Sequence, residues 1–571
     1  MSQNGSRLDF GPFRLDAAGR LLWRGDTLLD VPPKAVELLA VLVAEAGQVV
    51  PKNELLRRAW PETFVEEANL SVNVSILRRT LGNRADGKPW IQTVPRRGYR
   101  FVGSVVETQP PPRSLAVLPF RPLAGEAADE SLGLGMADAL VARLAATRRV
   151  EVRPTSAIRR FSHVDVDPVE AGRQLKVDAV LDGRYQHSGS RLRITAQLQR
   201  VAGPTPIWAE RFDVEAVDLF AVEDAIAERL ASVLVAELSA EERQRLERRP
   251  TRSVDAWQAY SRGRLFWGRF SRPWVEKAAR CFQEAAALDP DYAQPHAGLA
   301  DCFLVGGLSG ALAAPLAWSL AESATHAARE RDPELFEVHV SSAFLRLFGD
   351  WDWPEAERRL RQGIELAPLA AVGHQWLGLV LSLSGRGDEA KAALVRAADL
   401  DPLSLIVSAL QGVAYAFSGD HEAELRQQRR TLELDPHQLL GHWGVGSALH
   451  NLGRYDEAAA ELRHALELGD SPPFLRPMLA RSLAAAGRAD EARQNLVELV
   501  ASGGSSLAYL RAAVHVALRE TEPALELLRV ACDERDPWVV ALPVDPALAP
   551  LRREPRFAAL VERVRRSSSG G

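Results

Sequence analysis

The feature that most constrains the fold is a strict 34-residue period in the C-terminal half of the chain. Four glycines carry it, namely Gly385, Gly419, Gly453 and Gly487. The same period separates Pro368, Pro402 and Pro436. Sequence periods of this length are typical of stacked helical hairpins, because one hairpin cannot bury its apolar face without a neighbour. The C-terminal half is therefore predicted to be an all-α solenoid.

The residues around these markers also recur. The sequence Gly-Arg-x-Asp-Glu-Ala begins at Gly385, Gly453 and Gly487. Glycine ends one helix, the acidic pair opens the next against the helix dipole, and a following Asp-Pro stops it. This pattern resembles the tetratricopeptide repeat, which implies five to seven helical hairpins over residues 253–565.

The resemblance also implies a concave surface lined by the first helix of each hairpin. The corresponding positions form a predicted protein-binding groove of Gln375, Leu379, Ala409, Val413, Trp443 and Ser447. None of these is charged, so the groove is expected to take apolar side chains or a helix, not a clamped peptide carboxylate. In the alternative interpretation, Trp376 and Trp443 only fill the packing between repeats.

The N-terminal segment, residues 7–104, has a different organisation and an opposite charge. It carries a net charge of +4, whereas the rest of the 571-residue chain carries −9. The apolar spacing predicts short strands at 8–15 and 21–28, helices at 33–46, 51–60 and 69–81, and a closing hairpin at 90–94 and 99–102. Strands, three helices and a hairpin compose a winged helix-turn-helix, an α+β fold.

This segment resembles the effector domain of the OmpR/PhoB family over about 95 residues. The matching residues are Glu54-Leu-Leu56, Trp60, Val72, Leu77-Arg78, Leu81, Gln92-Thr-Val94 and Gly98-Tyr-Arg-Phe101. The resemblance implies binding to double-stranded DNA, with the third helix as the recognition helix.

The residue types support a DNA-binding role independently of the family. Leu70, Val74, Leu77 and Leu81 fall on one helical stripe, which is predicted to be buried. Asn and Arg match adenine and guanine edges, Ile76 suits a thymine methyl, and wing arginines suit a narrow minor groove. Arg78 or Arg79 alternatively holds phosphate. The predicted DNA-binding residues are Asn69, Ser71, Asn73, Ser75, Ile76, Arg78, Arg79, Thr93, Arg96, Arg97, Tyr99 and Arg100.

The middle region, residues 113–240, is predicted to be an α/β domain of alternating short strands and helices. It resembles the amino-terminal domain of TolB. In bacterial regulators, a domain similar to this one often lies between an output module and tetratricopeptide repeats. A proline spacer, Gln109–Pro112, precedes it, and a charged stretch at 237–252 is predicted to be a helix running out into a linker.

Composition excludes several classes of protein. The mean hydropathy is -0.13, and the chain has neither a long uninterrupted apolar run nor a secretory signal, so a cytoplasmic location without membrane contact is expected. Cys281, Cys302 and Cys532 have no metal-ligand spacing and are predicted to be core thiols. We therefore expect no metal, no cofactor and no enzymatic activity.

Together these features predict a multidomain, bacterial, sequence-specific transcription regulator that binds promoter DNA. It is similar to the one-component CadC and ToxR regulators without their membrane helix, since the DNA-binding segment starts too early to leave room for a receiver domain. The repeats would contact RNA polymerase or another protein. Two alternatives remain open: a repeat scaffold whose winged helix docks a protein, and an enzyme in the middle region.

Overall fold

The computed structural model describes most of the chain. The described residues are 7–17, 19–25, 27–60, 65, 67–84, 86–108, 111–123, 130–162, 166–188, 191–203, 206–215, 219–235, 238–267, 272–468, 473–501 and 507–567. The chain divides after Pro111 into two compact units, which are described separately below. Gln109 and Pro110 of the predicted proline spacer lie outside the described residues.

The first unit begins with an antiparallel sheet in the order β4-β3-β2-β1-β8. Each of the two predicted strands is divided by a turn, because Gly11 and Gly25 adopt positive φ angles of 53° and 57°. The strands are β1 (Arg7–Phe10), β2 (Phe13–Asp16), β3 (Leu21–Arg24), β4 (Thr27–Leu28) and, after the wing, β8 (Val106–Thr108).

Three helices and a second, three-stranded sheet follow. The helices are α1 (Pro33–Ala44), α2 (Lys52–Ala59) and α3 (Glu67–Leu81). The sheet has the order β5-β7-β6, formed by β5 (Val49–Pro51), β6 (Ile91–Val94) and β7 (Gly98–Phe101). All three predicted helices and the closing hairpin are confirmed. Pro51 differs from its predicted place in the first helical turn, since it is the extended residue before α2.

An aromatic cluster holds the two sheets of this unit together. Phe10 lies 5.0 Å from Phe101 and 5.4 Å from Trp90, measured between ring centroids. Phe13 packs edge-on against Trp90 at 6.0 Å. Edge-to-face pairs at these distances are favourable beyond the apolar area that they bury. The leading sheet is thus packed against the closing hairpin of β6 and β7.

The second unit begins with a mixed sheet in the order β11-β9-β12-β13-β14, with β10 paired to β12. β9 runs parallel to β11 and β12, while β12, β13 and β14 form an antiparallel meander. Its strands are β9 (Ser114–Val117), β10 (Arg121–Pro122), β11 (Glu151–Val152), β12 (Ala179–Ser188), β13 (Arg191–Arg200) and β14 (Pro206–Glu215). The α/β prediction for this region is confirmed.

One face of this sheet is buried. Leu192, Ile194, Ala196 and Leu198 alternate with more exposed residues along β13 and form a core with helix side chains. The helices of this region are α4 (Glu130–Ala146), α5 (Thr155–Ile158), α6 (Pro168–Gln174) and α7 (Leu219–Leu234).

The predicted charged helix is confirmed as α8 (Ala240–Glu247), in the described part of the stretch, 238–252. Ser239 and Glu242 cap it reciprocally. Arg149 bonds to the Glu242 carboxylate at 2.6 Å, and Arg143 Nε donates to the carbonyl of Leu246 at 2.8 Å. The helix is therefore bonded to the mixed-sheet region at these two points.

Eight helical hairpins follow in the described residues, more than the five to seven that the repeat markers predict. They pair α9 (Val254–Trp267) with α10 (Arg272–Leu288), α11 (Ala293–Ser309) with α12 (Ala314–Arg331), α13 (Phe336–Phe344) with α14 (Trp353–Leu366), α15 (Ala371–Leu383) with α16 (Gly387–Leu400), α17 (Leu405–Phe417) with α18 (His421–Leu434), α19 (Leu439–Asn451) with α20 (Tyr455–Glu467), α21 (Leu475–Ala485) with α22 (Ala489–Ala501), and α23 (Ala508–Ala517) with α24 (Thr521–Asp533). Cys302 and Cys532 are buried, as predicted, and Cys281 is partly buried.

The mixed sheet and the repeats share one interior. Trp257 of α9 is buried in the sheet's core, 6.2 Å from the ring of Phe220. Arg153 Nη1 donates to the carbonyl of Leu400 at 2.8 Å, and Ser156 Oγ donates to Asp401 at 2.8 Å. The predicted second and third domains therefore form one compact unit.

The C-terminal residues return to the early repeats. They comprise two 3₁₀ segments, Pro537–Ala541 and Pro546–Arg553, and α25 (Pro555–Ser567). The Arg535 guanidinium lies 4.3 Å from the ring centroid of Trp351, which is fully buried. Residues on both sides of this contact belong to one apolar core. The end of the solenoid is thus anchored to its first half.

Candidate nucleic-acid interface and interior cavity

The recognition helix α3 has one buried stripe and one open face. Leu70, Val74, Leu77 and Leu81 are at most 3% exposed, which confirms the predicted stripe. Asn69, Ser71, Ser75 and Arg79 are exposed, while Asn73 and Ile76 are partly buried. The apolar stripe fixes the rotation of the helix about its axis, so that these polar residues face outward.

Val72 is a prominent residue on the open face that the candidate set lacks. It is 57% exposed, an unusual position for a β-branched apolar side chain. The signal was available in the sequence, because Val72 stands three residues after Asn69 and seven before Arg79, directly opposite the buried stripe. An apolar side chain here can contact the methyl group of thymine.

Asn73 is engaged with its own helix. Its Nδ2 donates to the backbone carbonyl of Asn69 at 2.8 Å. A bidentate contact with adenine needs both the oxygen and the NH₂ of the amide, so Asn73 must turn about its side-chain bonds before it can make one.

Arg78 joins the recognition helix to the wing. Its Nε donates to the carbonyl of Ile91 at 2.9 Å, and its Nη2 donates to Thr93 Oγ1 at 2.8 Å. The guanidinium also lies 6.0 Å from the ring centroid of Tyr99. Tyr99 itself is only 6% exposed. Of the predicted DNA-binding residues, Arg78, Thr93 and Tyr99 therefore contact one another at the junction of helix and wing, where Thr93 is exposed and Arg78 is partly buried.

The wing is a tight hairpin between β6 and β7. Arg97 N–H donates to the carbonyl of Val94 at 3.0 Å, and Arg96 adopts a left-handed φ of 59°. Gly98 must be glycine, because a Cβ there would lie 2.0 Å from the carbonyl oxygen of Val50. Arg100 is partly buried and donates from Nη2 to Gln92 Oε1 across the strands at 3.0 Å.

The exposed charge is concentrated at the helix face and the wing tip. Arg79, Arg96 and Arg97 are exposed, and within the described part of the chain none of them forms an ion pair. From Arg78 to Arg100 there are seven basic residues and one acidic residue, Asp86, which pairs with Arg84 at 3.3 Å. This arrangement leaves arginine donors available to phosphates and base edges.

In the second unit, five of the six predicted groove residues line a cavity of about 1700 Å³. Leu379, Ala409, Val413, Trp443 and Ser447 form part of its wall. Gln375 lies elsewhere, packed between helices with 5% of its surface exposed, and the neighbouring Trp376 faces the cavity in its place.

Three sequence families match parts of the chain. Residues 26–101 match "Transcriptional regulatory protein, C terminal", residues 112–232 match "HilA/YgeH-like transcriptional regulator, second domain", and residues 442–468 match "Tetratricopeptide repeat". The chain thus carries an OmpR/PhoB-type winged-helix domain, a HilA-like domain and tetratricopeptide repeats, the parts of a winged-helix regulator.

Individual relatives are consistent with this organisation. The transcriptional regulator HilA of Salmonella typhimurium is 26% identical over 302 residues, which are 52% of this chain and 53% of HilA. The chain therefore spans about half the length of this relative. The putative adenylate cyclase 3 of Rhizobium meliloti is 28% identical over 199 residues, 34% of each chain.

Among solved structures, the DNA-binding domain of E. coli CadC is 25% identical and is covered over 97% of its length by 18% of this chain, with a TM-score of 0.17. Within the described residues, no helix combines the length and the apolar character needed to cross a membrane.

Proposed function

We propose that this chain binds promoter DNA sequence-specifically and regulates transcription. The observation that carries the proposal is the pairing of an open recognition-helix face with a wing tip whose arginines form no ion pair among the described residues. The match to a family of transcriptional regulatory proteins and the relationship to HilA support it.

In the proposed complex, α3 lies in the major groove. Asn69, Ser75 and Val72 face the base edges, and Arg79 reaches a phosphate or a guanine. The wing places Arg96 and Arg97 in the neighbouring minor groove, where arginine favours narrow A·T tracts. Arg78 acts as a positioning residue, because its bonds to Ile91 and Thr93 set the angle between helix and wing.

The second unit is proposed to receive the regulatory input and to contact RNA polymerase or another protein. Its helical hairpins support this, since such repeats present extended surfaces to partners. We assign no reaction to the mixed-sheet region. We place the protein in the bacterial cytoplasm, where promoter DNA is found.

Genome-wide crosslinking and sequencing of bound DNA tests the proposal. The wild-type chain should give discrete peaks at promoters, and an R79A/R97A double variant should lose them. Arg14→Ala is the matched control, because Arg14 lies on the leading sheet and pairs with Asp9 at 3.5 Å. On a purified operator fragment, each lost phosphate contact should lower the salt slope of binding by about one.

Absence of peaks in the wild type, with tight capture of a protein by the first unit, would contradict the proposal and favour the scaffold alternative. Peaks that survive in the double variant would contradict the assignment of these two arginines while leaving DNA binding in place.

A further inference from the structure

The interior cavity of the second unit is walled on several sides by the solenoid itself. The first helices of successive hairpins contribute Trp376, Leu379, Val413 and Trp443. The C-terminal 3₁₀ segment contributes Trp538 and is held in place where Arg535 contacts Trp351. At about 1700 Å³ the cavity exceeds the usual range of small-molecule sites, roughly 300–1,000 Å³.

Gln428 brings a polar group from an outer helix to this cavity. Its side chain passes between Gly412 and Gly444, where an added Cβ would come within 2.1 and 2.3 Å of it. Nε2 donates to the carbonyl of Ala409 at 3.1 Å. Gln428 is 1% exposed, and its Oε1 is buried without a hydrogen-bond partner among the described residues.

Arg481 of α21 is a second polar group on the cavity wall. Its Nε is buried and lacks a hydrogen-bond partner in the described part of the chain. The carboxylates of Glu424 and Asp545 interact electrostatically with Arg481, but each accepts a hydrogen bond from another residue. Glu424 accepts from Asn451 at 3.2 Å, and Asp545 accepts from the Tyr509 hydroxyl at 2.8 Å.

Buried polar groups normally find partners, and a buried charge without one is costly. Here Arg481 Nε and Gln428 Oε1, on two residues that line the cavity, both lack a hydrogen-bond partner among the described residues. The Trp538 Nε1 donor on the closing segment is a third such atom. Because all three residues line the same cavity, they indicate a ligand with both polar and apolar parts.

The charges define the class of ligand. Guanidinium pairs bidentately with carboxylates. A single arginine with two carboxylates nearby suits a monoanion better than a phosphate dianion. The aromatic and aliphatic wall suits a large apolar body.

We propose that this cavity binds an apolar monocarboxylate, with its carboxylate on Arg481 and its body against Trp376, Trp443 and Trp538. The role of this site in receiving the regulatory input rests on the proposed function, whereas its capacity to bind a ligand does not. Arg481 lies outside the six groove positions predicted from the sequence, all of which are uncharged.

Isothermal titration calorimetry of the full chain tests the proposal with dodecanoate and its uncharged counterpart dodecanol. The wild type should bind dodecanoate, and Arg481→Met should weaken that binding at least tenfold while leaving dodecanol binding unchanged. Arg476→Gln is the control, because Arg476 lies on the same helix, pairs with Glu498 at 2.6 Å and does not line the cavity. Val413→Trp places a bulky ring on the cavity wall and should weaken binding of both probes, which keeps the test decisive if the Arg481 variant does not fold.

No binding of dodecanoate by the wild type would overturn the proposal, as would binding that is equal in the Arg481 variant. Operator binding is measured on the same samples without ligand. A chain that binds DNA but not dodecanoate refutes only the cavity site, whereas one that binds dodecanoate but not DNA refutes only the proposed function.

Discussion

Arg78 Nη2 donates a hydrogen bond to Thr93 Oγ1 over 2.8 Å, and this bond links the recognition helix to the first strand of the wing. The same guanidinium bonds the carbonyl of Ile91. The two elements proposed to contact DNA are therefore aligned by a side chain between them.

Replacing Arg78 by Ala should loosen this joint. Hydrogen bonds to a charged group contribute about 1.5–3 kcal/mol each, so the wing should exchange its amide hydrogens faster when they are lost. Hydrogen exchange followed by mass spectrometry should show faster exchange in residues 91–101 and little change in α1. Operator affinity should fall with the salt slope unchanged, whereas a slope reduced by about one would show that Arg78 contacts phosphate directly.

Val72 is expected to read a base through its apolar surface. Val72→Ser should lower affinity for the wild-type operator by about two- to tenfold, while binding to a version with uracil in place of thymine at the contacted position should change little, because the methyl group is then absent. Competition binding with paired thymine and uracil duplexes measures this. The control is Thr80→Ser on the same helix, since Thr80 is partly buried and is not among the residues proposed to contact DNA. Equal losses on both duplexes would contradict a methyl contact.

Glu223 gives the second unit a predictable dependence on pH. Burial raises the pKa of this carboxyl to about 8, and its Oε1 has no hydrogen-bond partner in the described residues. A folded-state pKa above the unfolded value means that the folded state holds the proton longer. The free energy of unfolding therefore falls as the pH rises from about 4.5 towards 8, by up to about 1.4 kcal/mol per unit from this group.

Glu223→Gln should remove that slope. Chemical denaturation at pH 5 and pH 8.5 should show the variant gaining on the wild type at the higher pH, by a few kcal/mol at most. Glu228→Gln on the same helix is exposed and should behave like the wild type. A variant that is equally destabilised at both pH values would show that the packing of the Glu223 side chain, and not its titration, contributes to stability.

Much of this architecture follows from local patterns. The stripe of Leu70, Val74, Leu77 and Leu81 predicted where the recognition helix lies and which of its faces is buried. The 34-residue period predicted where the later hairpins lie. The hairpins before Pro333 were undercounted because they lack the recurrent Gly-Arg-x-Asp-Glu-Ala sequence.

The features that could not be predicted from the sequence depend on contacts between residues far apart in the chain. The charged stretch at 237–252 was correctly predicted to contain a helix, which Ser239 and Glu242 cap, but the packing of that helix against the mixed-sheet region was not predicted. Its ordering depends on Arg143 and Arg149, about a hundred residues earlier in the chain. The unpartnered Nε of Arg481 likewise depends on how distant segments enclose one cavity.

Arg153, 3% exposed, bonds the carbonyls of Leu175, Lys176 and Leu400. One side chain from the mixed sheet thus seals the end of a repeat helix more than two hundred residues away. The consequence concerns how such a protein can be inherited and rebuilt. A recombination or cloning junction near residue 250 would separate Arg153 and Trp257 from their partners, whereas a junction at the proline spacer would pass between the compact units. The winged helix can therefore be exchanged as a unit, whereas the residues that follow it must be kept together.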